Sequence, residues 1–175
     1  MRLSVYIAVS LDGYIARTDG GIDWLEGAAG DSGEDFGYAE FMETVDVLVM
    51  GRKTFEKVLT FANWPYGTKP VVVLSRKGIV VPEQFDGRIE VMSGEPTELV
   101  LGLGLRGWDS VYLDGGETIQ AFLRAGEVQR LIVTRIPVLI GSGIPLFGKL
   151  DGDVTLRHVA TRTFENGFVQ SEYAL

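Results

Sequence analysis

The chain has 175 residues, 46% hydrophobic, 10% aromatic and 23% charged, enough for one domain whose core needs neither a disulfide nor a structural metal. It contains no cysteine and one histidine, which excludes zinc–thiolate sites, iron–sulfur clusters, thiol nucleophiles and three-histidine metal centres. A formal net charge of −8 argues against a nucleic-acid or anionic-membrane partner. The cysteine-free composition is the one expected of a cytoplasmic protein. The opening residues carry no signal-like apolar region, and no stretch reaches the ~20 apolar residues that span a bilayer.

In chain order, short runs rich in valine, isoleucine and leucine predict buried strands: LSVYIAV (3–9), VDVLVM (45–50), VVVLS (71–75), SVYLD (110–114) and RLIVTRIPVLI (130–140). Between them lie segments of helical spacing. DFGYAEFMETV (35–45) repeats Phe36, Ala39, Met42 and Val45, and PTELVLGLGL (96–105) opens on a proline suited to a first helical turn. ETIQAFLRAG (117–126) stops at Gly126, a favourable residue after a helix C-terminus. The tail alternates apolar and polar residues about Asn166-Gly167, a hairpin signal. The glycine-rich acidic stretch EGAAGDSGED (26–35) is too short to join domains and is expected to be a mobile loop beside a site. Strand and helix therefore alternate and close on an antiparallel hairpin, which predicts a single α/β domain over 1–175 with a mostly parallel sheet.

Ligands of open α/β sheets bind beyond the carboxyl ends of the strands. The strand at 45–50 is followed by Gly51-Arg52-Lys53-Thr54, the strand at 71–75 by Arg76-Lys77, and the strand at 110–114 by Gly115-Gly116-Glu117-Thr118. Two basic pairs and a Gly-Gly turn at three exits of one sheet suit a ligand with several phosphates, and a dinucleotide fits best. Each basic pair alone reads equally well as a solubilised loop. GSGIPLFG (141–148) has neither the following helix nor the acidic residue of a dinucleotide fingerprint. Asp12, Asp19 and Asp23 read as turn formers rather than a calcium loop, and His158 and the tryptophans as structural residues, with Trp24 placed to shape a pocket.

AVSLDGYIARTDGGIDWL (8–25), LVMGRKTFE (48–56), VVVLSR (71–76), VYLDGGETIQAFL (111–123) and RLIVTRIPVLIGSGIPLFG (130–148) together resemble, in order and over nearly the whole chain, the dihydrofolate reductase-like family. The last block looks more like the reductase domain of riboflavin biosynthesis than like true dihydrofolate reductases, and no deaminase signature accompanies it. The resemblance implies a dihydrofolate reductase-like three-layer sandwich with helices on both faces of the sheet. It implies NADPH as cofactor, with Ala8 and Ile15 at the nicotinamide and Gly51, Arg52, Lys53 and Thr54 on phosphates. It further implies Ser75 and Arg76 at the 2′-phosphate and Gly115, Gly116, Glu117 and Thr118 around the pyrophosphate. On the substrate side it implies Asp35 as the carboxylate and Thr134 as its partner threonine, with Glu34 or Glu40 as the acid if the register slips, and helix capping as an equal alternative for Asp35. Arg17 and Lys149 are candidates for a ribose phosphate. The expected activity is hydride transfer from NADPH to a C=N or C=O carbon of a small heterocycle. The riboflavin precursor 5-amino-6-(5-phosphoribosylamino)uracil comes first, dihydrofolate or another pteridine second. A module that binds NADPH without turnover is the alternative of another class. The same resemblance, with the apolar C-terminal hairpin, implies a homodimer.

Overall fold

The computed structural model describes every residue except 30–32 and 86. Ten strands and five helices follow in the order β1 (Arg2–Ser10), β2 (Tyr14–Ala16), α1 (Asp23–Ala29), α2 (Tyr38–Glu43), β3 (Val47–Gly51), α3 (Arg52–Val58), β4 (Val71–Leu74), β5 (Ile89–Met92), α4 (Pro96–Gly104), β6 (Ser110–Asp114), α5 (Gly116–Arg124), β7 (Arg130–Ile136), β8 (Ile144–Pro145), β9 (Arg157–Thr163) and β10 (Val169–Ala174). Eight strands form one sheet in the spatial order β5-β4-β3-β6-β1-β7-β10-β9. From β5 to β7 all pairs are parallel; β10 runs antiparallel to β7 and closes a hairpin with β9. β2 and β8 pair separately as a short ribbon.

The central strands are apolar on both faces because helices cover both. Val47, Val49, Val111 and Leu113 pack against Leu99 and Leu103 of α4 and Ile119 and Phe122 of α5. The alternate residues Leu48, Met50, Tyr112 and Ile132 pack against Phe41 of α2 and Phe55 and Val58 of α3. A third cluster joins Trp24, Ile136 and Phe168, so Trp24 is a core residue. The sheet, the helices on both faces and the terminal hairpin are the expected three-layer sandwich.

Several element ends differ from the sequence reading. β7 stops at Ile136 because Pro137 has no N–H to donate to a ladder. The helix expected from residue 35 starts at Tyr38, since Phe36 (φ 58°) and Gly37 (φ 87°) are left-handed. α1 occupies 23–29 and so takes up the first four residues of the expected loop, whose residues 30–32 lie outside the described ones. β5 was not expected: it is short and half-exposed. Among the described residues no helix is long and apolar enough to cross a membrane.

Candidate active site

The carboxyl ends of β4, β3, β6 and β1 open into one cleft of about 1230 Å³. That exceeds the roughly 300–1,000 Å³ of sites for one drug-sized ligand, so it has room for a dinucleotide and a second small ring. The structure places all twelve residues of the expected cofactor set along it: Ala8 and Ile15, Gly51 to Thr54, Ser75 and Arg76, and Gly115 to Thr118.

The crevice at its centre follows from pairing β3 with β6, which sets Met50 opposite Asp114 and the turns at Gly51 and Gly115 side by side. These turns interlock. A Cβ on Gly115 would overlap the Thr54 hydroxyl, and one on Gly51 would lie 3.3 Å from that of Thr118. Gly115 has φ 90°, a backbone that L side chains rarely adopt, so glycine is required on two counts. A Cβ on Gly116 would meet Ile144 and Ile15 of the β2–β8 ribbon at 2.9 and 3.2 Å. The starts of α3 and α5 are thus packed closely together through glycines, with Thr54 and Thr118 between them, and both turns line the cleft, an arrangement of helix starts that suits a pyrophosphate.

Basic side chains at the rim are partnered by acids. Lys53 Nζ lies 2.8 Å from Glu117, across the crevice from α3 to α5, Arg52 lies 2.7 Å from Glu56, and Arg76 lies 3.4 Å from Glu95 at the start of α4. These pairs are exposed and contribute little to stability.

Below the crevice the wall is aromatic and hydroxylic, lined by Tyr6, Tyr38, Tyr66 and Tyr112, the last three close to Asp114. The Asp114 carboxylate accepts hydrogen bonds from Tyr66 Oη (3.0 Å) and from the Gly115 N–H (2.8 Å). Desolvation still outweighs both and pushes its pKa above the ordinary carboxylate range. Burial, reinforced by the Asp114 charge, raises the Tyr66 and Tyr38 hydroxyls as well, so both stay protonated donors. The Tyr38 ring is fixed edge-on to Tyr6, with centroids 5.6 Å apart. Sequence reasoning missed this group. Asp114 was within reach of it, as the last residue of a strand that ends in the cleft; the tyrosines come from four separate segments and leave no local signal.

Asp35 and Thr134 do not line the cleft. Asp35 Oδ1 and Oδ2 accept the Gly37 and Ala39 N–H groups, each at 2.9 Å, and these bonds lower its pKa. An acid with a raised pKa in an apolar pocket is therefore not what Asp35 provides; it ties down the turn before α2. Thr134 is buried beside Ala8 in the β1–β7 register, and its hydroxyl accepts a hydrogen bond from Gln170 Nε2 (3.0 Å). Glu34 accepts the Phe36 N–H, and Glu40 borders a separate cavity of about 110 Å³ with Arg130, Arg162 and Glu172. Arg17 is held bidentate by Asp23, and Lys149 lies off the cleft. Asp12 accepts the Ser10 hydroxyl within its own turn and the distant Ile140 and Gly141 N–H groups, so it ties that turn to the segment after β7. No metal-holding cluster occurs among the described residues.

Comparison with known proteins places this geometry. A crystal structure of a Shewanella sp. PV-4 protein named for riboflavin biosynthesis is 38% identical, with a TM-score of 0.93, over 99% of this chain and 98% of that one. The deaminase/5-amino-6-(5-phosphoribosylamino)uracil reductase of Thermotoga maritima shares the fold at 17% identity and a TM-score of 0.76, over 99% of this chain and 56% of the longer one. Dihydrofolate reductase of Enterococcus faecalis, solved with NADP(H), shares it at 18% identity and a TM-score of 0.67, over 99% of this chain and 95% of that one. The fold is thus dihydrofolate reductase-like, and the chain, matched over residues 2–170, belongs to the RibD C-terminal domain family.

Proposed function

We propose that the protein is an NADPH-dependent reductase that delivers hydride to a C=N or C=O carbon of a small heterocycle, 5-amino-6-(5-phosphoribosylamino)uracil being the first candidate. One observation carries the reading: two interlocked glycine turns with basic side chains at their rim stand in one large cleft beside a carboxyl group of raised pKa. The fit of a dinucleotide rests on the size of the cleft and on the two glycine turns set side by side at its centre. Bound there, NADPH supplies the hydride. Gly51 to Thr54 and Gly115 to Thr118 hold its phosphates, Ser75 and Arg76 its adenosine end, and Ala8 and Ile15 flank the reacting ring. The aromatic wall of Tyr6, Tyr38 and Tyr112 excludes water and orients the second ring. Reduction of C=N leaves a nitrogen that must gain a proton. Asp114, protonated to a higher pH than an ordinary carboxyl and re-supplied from solvent, is the group suited to give it, in place of Asp35. With Asp35 and Thr134 outside the cleft, the pterin-type acid pair has no support here, and dihydrofolate is the weaker substrate candidate.

Two further parts belong to the proposal. The protein is cytoplasmic, and it is a homodimer, supported by β9, an edge strand in which every residue from Arg157 to Thr163 is exposed. Light scattering at micromolar concentration is expected to give twice the 19.2 kDa chain mass; the chain mass itself would refute the dimer.

The decisive experiment is a tryptophan-fluorescence titration with NADPH, followed by single-turnover NADPH oxidation with a panel of pyrimidines and pteridines. Saturable binding and oxidation with a phosphoribosyl pyrimidine are expected. Binding without oxidation by any panel member would make the chain a dinucleotide-binding module, and no binding would sink the reading.

A further inference from the structure

The far end of the cleft, where β4 and β5 terminate, holds both a cation and an anion. Arg76 follows β4, and Glu95 stands at the start of α4, with the guanidinium 3.4 Å from the carboxylate. Both line the cleft together with Ser75 and Lys77.

Glu95 is a positioned carboxylate. Its side chain accepts the backbone N–H of Glu98, while Glu98 Oε2 accepts the Glu95 N–H at 3.1 Å, and Pro96 fixes the first helical residue. This reciprocal capping box restrains the carboxylate on the side of the helix that meets Arg76. The Ser75 hydroxyl is engaged as well, donating to the Gly78 carbonyl (2.9 Å) and accepting the Lys77 N–H (3.3 Å). Of the polar side chains at this exit, Arg76 is thus paired with Glu95, Ser75 hydrogen-bonds within its own turn, and Lys77 has no ion-pair partner among the described residues.

An arginine at a ribose selects a 2′-phosphate, and a carboxylate there accepts a hydrogen bond from a free 2′-hydroxyl and repels a phosphate. Given the dinucleotide reading above, on which this step rests, we infer that Glu95 is a cofactor-discriminating residue. By seating its carboxylate on Arg76 it weakens selection for the 2′-phosphate and offers an acceptor to the unphosphorylated ribose, so the chain takes NADH as well as NADPH.

The test is the ratio of NADH to NADPH dissociation constants, measured by tryptophan fluorescence at one fixed ionic strength for the parent, Glu95→Gln, Arg76→Ala and Glu98→Gln. For the parent the two constants are expected within about tenfold of each other, since the guanidinium already has an anion. Glu95→Gln keeps an acceptor for the Glu98 N–H but removes the charge, and it is expected to tighten NADPH by about tenfold with NADH unchanged or weaker. Arg76→Ala, a change at an exposed site, is expected to bring the two constants together. Glu98→Gln removes a charge from the same helix start but keeps an acceptor for the Glu95 N–H, and so the capping box, and is expected to leave the ratio alone. A parent preference for NADPH beyond about a hundredfold, an unmoved ratio in Glu95→Gln, or an equal shift in Glu98→Gln overturns the assignment while the dinucleotide reading stands. Failure of the parent to bind either dinucleotide overturns both.

Discussion

Two carboxylates five residues or fewer from a helix start, Asp35 before α2 and Asp114 before α5, meet opposite surroundings. Around Asp35 the backbone supplies two N–H donors and water does the rest, so the anion is favoured. Around Asp114 three tyrosines and the sheet remove water, and two hydrogen bonds do not compensate, so the acid is favoured. The Asp35 region acts as a clasp. Left-handed Phe36 presents its carbonyl to Tyr6 Oη (2.7 Å) and Gln170 Nε2 (3.1 Å), and its ring packs on Phe164 and Phe168. The Asp114 region is built to receive a ligand. Type of residue and sequence neighbourhood cannot separate the two roles; solvation does.

The comparison breaks most visibly at Gly115. A methyl group there must enter the space of the Thr54 hydroxyl while the backbone holds φ 90°. Strain and overpacking together are expected to cost about 3 kcal/mol of stability or, if the turn moves, at least ~100-fold in dinucleotide affinity. Denaturant melts and NADPH titration of Gly115→Ala check this; a variant unchanged in both would mean that the crevice is not a cradle. An exposed glycine such as Gly67, with nothing within 4 Å of its added Cβ, is the matching control for positive φ alone.

At the chemical step, Asp114→Asn is expected to lower the single-turnover rate of NADPH oxidation by ~10²-fold with NADPH affinity nearly unchanged. Asp35→Asn is expected to stay within about twofold of the parent, because its carboxylate faces backbone rather than cleft. The reverse result would restore the acid to the turn before α2. Within the clasp, Gln170→Leu removes one side-chain amide whose Nε2 lies within hydrogen-bond distance of Tyr6 Oη, the Phe36 carbonyl and the Thr134 hydroxyl, and leaves buried acceptors without a donor. A loss of about 2 kcal/mol in stability with unchanged dinucleotide affinity is expected from a denaturant midpoint and a titration. Coupled loss of both would show that the clasp shapes the cleft.

These outcomes bear on what the sequence reveals. β1, β3, β4, β6 and β7 were legible because each is an apolar run bounded by charge or glycine, and the hairpin because Asn166-Gly167 sits between alternating residues. The rule that ligands meet strand exits then gathered the phosphate-suited residues along one cleft. What was not legible depends on packing between distant segments. α1 is hidden in a glycine-rich stretch, and β5 gains its strand character from pairing with β4 rather than from its own half-exposed residues. Asp35 looked like a buried acid because its position relative to Met50-Gly51-Arg52 matched the family's. Its hydrogen bonds to Gly37 and Ala39 depend on a left-handed Phe36 that no local pattern announces.

The smallest effect separates the two carboxylates without any substrate. Asp35 has its pKa lowered on folding, so the unfolded chain holds the proton more tightly. Its contribution is fully present above the unfolded carboxylate range and is lost as pH falls through the lowered native value. Asp114 is the opposite case. Its raised native pKa means the folded chain binds the proton more tightly between the ordinary carboxylate range and that raised value, so its contribution to stability falls as pH rises through this window. Denaturant midpoints of the parent, Asp35→Asn and Asp114→Asn between about pH 3 and pH 8 are therefore expected to diverge in mirror fashion. Relative to the parent, Asp114→Asn gains stability toward neutral pH, and the gain shrinks on acidification. Asp35→Asn is less stable near neutrality, and its deficit closes at the acid end. If the Asp114→Asn curve runs parallel to the parent across the range, the desolvation assigned to Asp114 is absent in solution. The proton donor must then be sought among the cleft tyrosines, with Tyr38→Phe and Tyr66→Phe as the next variants to assay.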